Sequence, residues 1–163
     1  MIERTLVLIK PDGVQRGLIG EIISRFEKTG LKVIGMKLQH IDKKFAEKHY
    51  TEDISKRRGE NVRNWLLDFI TEGPVVALCL EGIEAIEIVR KIIGSTEPKS
   101  AVPGTIRGDY AHVSYGYADK KGVPIRNLIH ASGNKEDAER EVPLWFSKNE
   151  IFDYNVSHEK HIR

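Results

Sequence analysis

The pair with the clearest chemical potential is His130 and, eleven residues further on, Glu141. The histidine stands in Asn127-Leu-Ile-His-Ala-Ser. Leu128 and Ile129 are apolar and β-prone, with Arg126 and Asn127 before them, so 126–129 reads as a short strand. Ser132 and Gly133 break it, and Asn134 reads as the N-cap of a helix opening Lys135-Glu136-Asp137-Ala138. Asp137 then falls in the first turn, where the helix dipole favours a carboxylate. His130 is thereby expected at the end of a strand, just before a helix start whose unpaired N–H groups suit a phosphoryl oxyanion. A neutral imidazole is a competent nucleophile near pH 7, whereas a serine needs a base. The same pattern also fits an ordinary strand-end histidine.

Other residues point at anions. Lys10 closes the first strand, Arg90 lies on a helix at 83–93 off its apolar stripe, and Thr96 follows that helix. Arg107 stands in Gly104-Thr-Ile-Arg-Gly-Asp, where glycines permit close backbone approach. Each alone fits a solvated charge or loop residue. No G-x-x-x-x-G-K-[ST] occurs, no G-x-G-x-x-G follows a strand, and no C-x-x-C is present. His158 and His161 are spaced i,i+3 and not i,i+4 as on a zinc-binding helix, so they read as surface.

The elements that must position these groups follow from periodicity. The continuous apolar run at 5–9 is a buried strand, and Lys10-Pro-Asp-Gly ends it with turn chemistry. Ile19, Ile22, Ile23 and Phe26 form a helical stripe that stops at Gly30. Alternation marks 31–40 as a second strand. A short helix spans 42–50, a charged connection 51–61, and a helix 62–70 that stops at Gly73-Pro74. Strand three is 75–80, and Ile83, Ile86, Val89, Ile92 and Ile93 stripe a helix that ends at Gly94. From 95 to 123 turn chemistry prevails, and loops this long in a compact domain are usually functional. After the strand at 126–129, the last helix starts near 135. Pro143 bends or ends it, Leu144-Trp-Phe packs down, and the tail reads as irregular. Without decorations the order is βαββαβ, an α+β, ferredoxin-like antiparallel sheet covered on one face by helices, in a single domain spanning 1–163.

At 163 residues the chain buries on the order of 70% of its unfolded surface, enough for a core without staples. Cys79, the single cysteine, lies in an apolar run and reads as a core residue; it allows no disulfide and fits a reducing compartment. A net charge of +2 argues against bulk attraction to nucleic acid or membrane, and Lys56-Arg57-Arg58 reads as an exposed loop. No apolar run approaches a membrane span and no leader-like segment opens the chain, so a cytoplasmic protein is expected.

Three stretches resemble the nucleoside diphosphate kinase family: ERTLVLIKPDGVQRGLIGEIISRFE at the start, PGTIRGD at 103–109, and NLIHAS with Glu141. With GPVVA at 73–77 the resemblance covers most of the chain in order. It implies a ping-pong transfer in which a Mg²⁺-bound nucleoside triphosphate gives its γ-phosphoryl group to His130, which passes it to a nucleoside diphosphate. By the same resemblance Glu141 orients the imidazole, Ser132 bridges to Glu141, and Tyr50 and Lys10 flank the transferring group. Lys10, Arg90, Thr96 and Arg107 hold phosphates, Asn127 holds the sugar, and Mg²⁺ is expected through the nucleotide phosphates without protein ligands. The family also implies a hexamer or tetramer built from dimers, with contacts in the 98–104 loop and the tail.

The chain departs from the family in two places. Gly133 stands where an Asp is usual after HAS, and Val62 stands where a phenylalanine stacks on the base. The connections 51–61 and 110–126 are also longer than in short family members. An alternative reading is a regulatory nucleotide-binding protein with weakened turnover. A nucleic-acid-binding module on the same fold needs exposed aromatics on the sheet, which strands one and three lack.

Overall fold

The computed structural model describes residues 1–162. Four strands form one antiparallel sheet: β1 (Ile2–Ile9), β2 (Lys32–Gln39), β3 (Val75–Ile83) and β4 (Ile129–Ala131), in the order β2-β3-β1-β4. Between β1 and β2 lie α1 (Pro11–Gln15) and α2 (Ile19–Lys28), and between β2 and β3 lie α3 (Lys43–His49), α4 (Glu52–Arg58) and α5 (Glu60–Thr71). Between β3 and β4 come α6 (Ala85–Ile93), α7 (Ile106–Tyr110) and α8 (Tyr115–Lys121), and after β4 come α9 (Lys135–Trp145) and α10 (Glu159–Ile162). With α2 and α6 as the crossover helices this is the expected ferredoxin-like βαββαβ.

Helices cover both faces of the sheet, where the sequence suggested one. Val7 and Ile9 pack with Ile22 and Phe26 of α2 and Val89 and Ile93 of α6. Leu6 and Leu8 face the other way, onto Ala46 of α3, Leu67 and Ile70 of α5, and Trp145 of α9. This explains why 6–9 is apolar at every position instead of alternating. The two crossover helices lie on the first face, and the added helices supply the second.

Several boundaries shift for local reasons. Lys10-Pro-Asp-Gly is not a bare turn but the start of α1, with Pro11 at its first position, where its missing N–H costs nothing. The connection 51–61 holds α4. Glu52 and Asp53 open that helix and Lys56, Arg57 and Arg58 close it, which suits the dipole, but it buries no residue and so shows no apolar stripe. The stretch 95–123 contains a 3-10 turn at Pro98–Ser100 and two capped helices. Thr105 accepts from the Gly108 N–H at 3.1 Å, Ser114 accepts from the Tyr117 N–H at 3.2 Å, and Gly122 ends α8 with a left-handed φ of 63°. The helix placed at 83–93 starts at Ala85, because β3 runs on to Ile83. Pro143 lies inside α9, which continues to Trp145. The tail holds a 3-10 turn at Lys148–Glu150 and α10, and the Phe152 N–H donates to the Ile34 carbonyl at 2.8 Å.

Phe26 is fully buried between α2 and the sheet. Phe26→Ala is expected to lower stability by about 3–5 kcal/mol. Chemical denaturation should show this as a lower midpoint at constant slope; a loss under about 1 kcal/mol would mean the layer collapses onto the gap.

Candidate active site

The site begins with a strained residue. Leu128 has φ of 71°, a conformation that costs an apolar side chain on the order of 1–3 kcal/mol and persists only where its surroundings impose it. Two residues of the first loop hold it: the Asp12 carboxylate accepts the Leu128 N–H at 3.0 Å, and the Lys10 N–H donates to the Leu128 carbonyl at 2.8 Å. The kink delays β4 to Ile129, so His130 lies within the strand and not beyond the end of one at 126–129. There His130 stands opposite Leu8 and shares its face, towards α3, α5 and α9.

On that face His130 Nε2 lies 3.0 Å from the Glu141 carboxylate on α9. Ser132 Oγ donates to the same carboxylate oxygen at 2.8 Å, and Arg140 Nη2 donates to the other at 3.2 Å. Burial alone would raise the Glu141 carboxyl. The His130 charge and the hydrogen bonds from His130 and Ser132 outweigh that and bring it down to about 2. An ionised carboxylate only accepts, so Nε2 carries a proton, and it is Nδ1 that bears the lone pair in the neutral ring.

His49 and Tyr50, at the end of α3, pack the other side of the imidazole, with ring centroids 4.6 and 6.4 Å from that of His130. His49 Nδ1 accepts from the Trp145 indole N–H at 3.2 Å, and burial, reinforced by the His130 charge, keeps its ring neutral. Burial pushes the Tyr50 hydroxyl up, so it stays a proton donor. A nitrogen or oxygen from each of His49, His130 and Glu141 lies within 4.8 Å of the others. Hydrogen bonds engage His49 Nδ1 and the His130–Glu141 pair, which makes an orienting network, while His49 Nε2 is buried without a partner.

A cavity of about 440 Å³ opens over this network, lined by Lys10, Tyr50, Arg57, Arg58, His130 and Arg140 among others. Lys10 is buried, and its Nζ donates to Asn127 Oδ1 at 2.8 Å. Burial, and then the Arg107 guanidinium, bring the Lys10 ammonium down to about 7. Asn127 in turn donates to the Thr96 carbonyl at 2.8 Å. Arg107 donates to the carbonyls of Gly94, Asn127 and Ile129 at 2.9, 3.2 and 2.6 Å, and burial brings it down to about 10. Buried cations beside a histidine with a free lone pair make a place for a polyanion whose end atom can be attacked.

Comparison with known proteins agrees with this chemistry. The family model for nucleoside diphosphate kinase matches residues 3–151. The chain belongs to that family. It is 51% identical to the nucleoside diphosphate kinase of Borreliella burgdorferi over 94% of this chain and 93% of that protein. Its identity to the enzyme of Pyrococcus furiosus is 55%, over 94% and 88%. A solved structure of the nucleoside-diphosphate kinase from Borrelia burgdorferi, a transition state mimic with bound vanadate and ADP, superposes with a TM-score of 0.97. That match has 49% identity and covers 99% of this chain and 96% of that one. A halophilic member from Halobacterium salinarum in complex with CDP superposes at 0.85, with 39% identity, over 100% and 99%.

Within the nucleoside diphosphate kinase frame the sequence-predicted residues fall into three groups. Lys10, Tyr50, His130 and Glu141 line one cavity, with Ser132 behind Glu141. Asn127, Thr96 and Arg107 form a connected set reached through Lys10. Arg90 and Val62 stand apart: Arg90 is exposed beside Gly133 in a neighbouring hollow, and Val62 lines an adjoining apolar cavity. The gap left by Gly133 is filled, since a Cβ there would meet Asp137 Oδ2 at 2.8 Å. The Asp137 carboxylate thus stands beside position 133.

Sequence reasoning missed His49, Arg140 and the structural role of Asp12. It also read Lys56-Arg57-Arg58 as an exposed loop, whereas these residues end α4 and turn Arg57 and Arg58 onto the cavity wall. The cluster of three cations was the signal. Only the packing of α4 shows where it points.

Glu141→Gln keeps the shape but removes a charged hydrogen bond worth about 1.5–3 kcal/mol. The rate of phosphoryl uptake on His130 is expected to fall about 10- to 100-fold, and Ser132→Ala to cost less; an unchanged rate in Glu141→Gln would remove Glu141 from the orienting role. Above about pH 7 free Lys10 loses its proton, and bound phosphates return it. ADP binding at pH 8 should therefore take up protons, read from the buffer dependence of the calorimetric enthalpy. Equal uptake in Lys10→Gln would place the Lys10 pKa higher.

Proposed function

We propose that His130 Nδ1 is the atom that carries the phosphoryl group. Nδ1 attacks the γ-phosphorus of a nucleoside triphosphate, the bond from that phosphorus to the bridging oxygen breaks, and the nucleoside diphosphate leaves. A terminal phosphate oxygen of a second nucleoside diphosphate then attacks the same phosphorus and the P–N bond breaks. The single observation that carries this reading is the Glu141 carboxylate on Nε2, which fixes the tautomer and steadies the imidazolium that forms. The vanadate and ADP held by the Borrelia relative are in keeping with it.

In this reading Lys10, Arg57 and Arg58 receive the phosphates, Tyr50 donates to the transferring group, and Asn127 takes the sugar. Arg107 and the Thr96 carbonyl hold Lys10 and Asn127 in place, and Arg90 meets the outer phosphate from beside Gly133. Mg²⁺ fits here as a hydrated ion bound through phosphate oxygens, because the cavity offers the carboxylates of Asp53 and Asp137 as partners for its waters. When bound it neutralises charge on the phosphate oxygens. Val62 contributes an apolar contact to the base, and with no base-edge reader assigned, several nucleobases are accepted.

The whole chain is taken to work as one domain, in a homo-oligomer built from dimers. Support for assembly comes from the edge strand β2, whose Met36 and Leu38 are 61% and 63% exposed. Among the described residues no helix is long and apolar enough to cross a membrane, and a cytoplasmic setting suits the buried free Cys79.

The test is to mix the protein with ATP and Mg²⁺, omit any acceptor, and weigh it intact. One added phosphoryl group is expected, labile in acid, stable in base, discharged by GDP and absent in His130→Ala. A protein that takes none from any nucleoside triphosphate would favour the regulatory reading instead.

A further inference from the structure

A second cavity, of about 270 Å³, adjoins the cation-lined one beside His130 and differs from it in chemistry. Val62, Trp65, Tyr115 and Pro124 are among its walls, and Arg58 and Leu66 line both cavities. A nucleotide with its phosphates beside His130 and Lys10 therefore has an apolar slot within reach of its other end. One side of that slot comes from the 110–126 stretch: Tyr115, Ala118 and Asp119 of α8, and Val123, Pro124 and Ile125 just after it.

The structure fixes α8 as a wall. The Tyr115 N–H donates to Glu97 at 2.9 Å, and the helix end at Gly122 lies over Trp65, with 4.0 Å between a Cβ built there and the indole. Across the slot Arg58 Nη2 donates to Tyr115 Oη at 3.3 Å, with the guanidinium 5.7 Å from the ring centre. Tyr115 is half-buried, so its ring is neither core nor free surface. A tethered aromatic ring and an aliphatic residue in a narrow slot suit a flat, weakly polar ligand.

We propose that Tyr115 supplies the aromatic face for the nucleobase, so that α8 is part of the nucleotide site and offsets the aliphatic residue at position 62. The proposal rests on the phosphoryl-transfer reading only for the presence of a nucleotide in the neighbouring cavity. Base–aromatic stacking is commonly worth about 1–3 kcal/mol, so its removal costs on the order of 5- to 150-fold in affinity.

Binding of ADP and of inorganic tripolyphosphate, which has no base, is measured by calorimetry without turnover on the wild type, Tyr115→Ala and Tyr115→Phe. Expected results are a loss of about tenfold or more for ADP in Tyr115→Ala, tripolyphosphate within about twofold, and ADP binding retained in Tyr115→Phe. Unchanged ADP affinity in Tyr115→Ala overturns the proposal. So does an equal loss for both ligands, which marks a general disturbance of the wall. A wild type that binds ADP no better than tripolyphosphate overturns it too, since a base slot must add affinity. Failure of the phosphohistidine reading shows elsewhere, as a wild type that binds ADP yet never gains a phosphoryl group from ATP.

Discussion

The left-handed turn at Leu128 is the constraint on which the site depends. A leucine does not adopt φ of 71° by preference. It does so because the Asp12 carboxylate accepts its N–H and the Lys10 N–H donates to its carbonyl, both from the loop after β1. That one clasp joins the central strand β1 to the edge strand β4 at the point where the chemistry sits. It aims Asn127 at Lys10, and it sets the register in which His130 faces Leu8. Without it β4 could begin earlier, and a one-residue slip would turn His130 to the opposite face. Asp12 is thus a residue of the site that need never touch a substrate.

The electrostatics are those of a site finished by its ligand. Lys10 and Arg107 are buried close together, and both are brought down from their ordinary values, first by burial. Arg107 is balanced by three carbonyls, so it works as a fixed strut. The Lys10 ammonium donates one hydrogen bond to the Asn127 oxygen, and so keeps the most to gain from an incoming phosphate. Glu141 is different in kind: His130, Ser132 and Arg140 all donate to it, and its charge is secured before any substrate arrives. One acid is fully matched and one base is left wanting, which separates the group that orients from the group that binds.

The sequence made some of this legible and hid the rest for identifiable reasons. The run 5–9, the stripes of α2 and α6 and the Asn134 cap were readable because each is a local pattern with one physical cause. The Asp137 N–H does donate to Asn134, at 2.8 Å. The short helices α4, α7 and α8 were not readable: at five to seven residues they bury too little to show periodicity, and caps and charge hold them instead. The motif residues could be named from the sequence, but their partition among cavities could not, because burial and direction are tertiary facts. Arg107 illustrates this. Its type and flanking glycines suggested a phosphate clamp, and the fold turns its guanidinium onto backbone carbonyls. The closeness of the Asp137 carboxylate to Gly133 was equally invisible, since only the first helix turn in space brings the two together.

The floor and the wall of the cavity differ in how firmly they are held. Lys10 follows the central strand β1, His130 lies on β4 paired to that strand, and Glu141 is buried on a helix packed against β1. The opposite wall is α4, which buries none of its residues and reaches α8 through an exposed Arg58–Tyr115 contact. Local stability follows burial, so the wall belongs to the readily displaced part of the fold and the floor to the least displaced. A ping-pong transferase meets two different nucleotides with one nucleophile. The phosphorus must reach the same point to within a fraction of an ångström each time, while the rest of the substrate changes. A rigid floor beneath a yielding wall meets both demands, with His130 and Lys10 held by the sheet and the wall built from an exposed helix added to it.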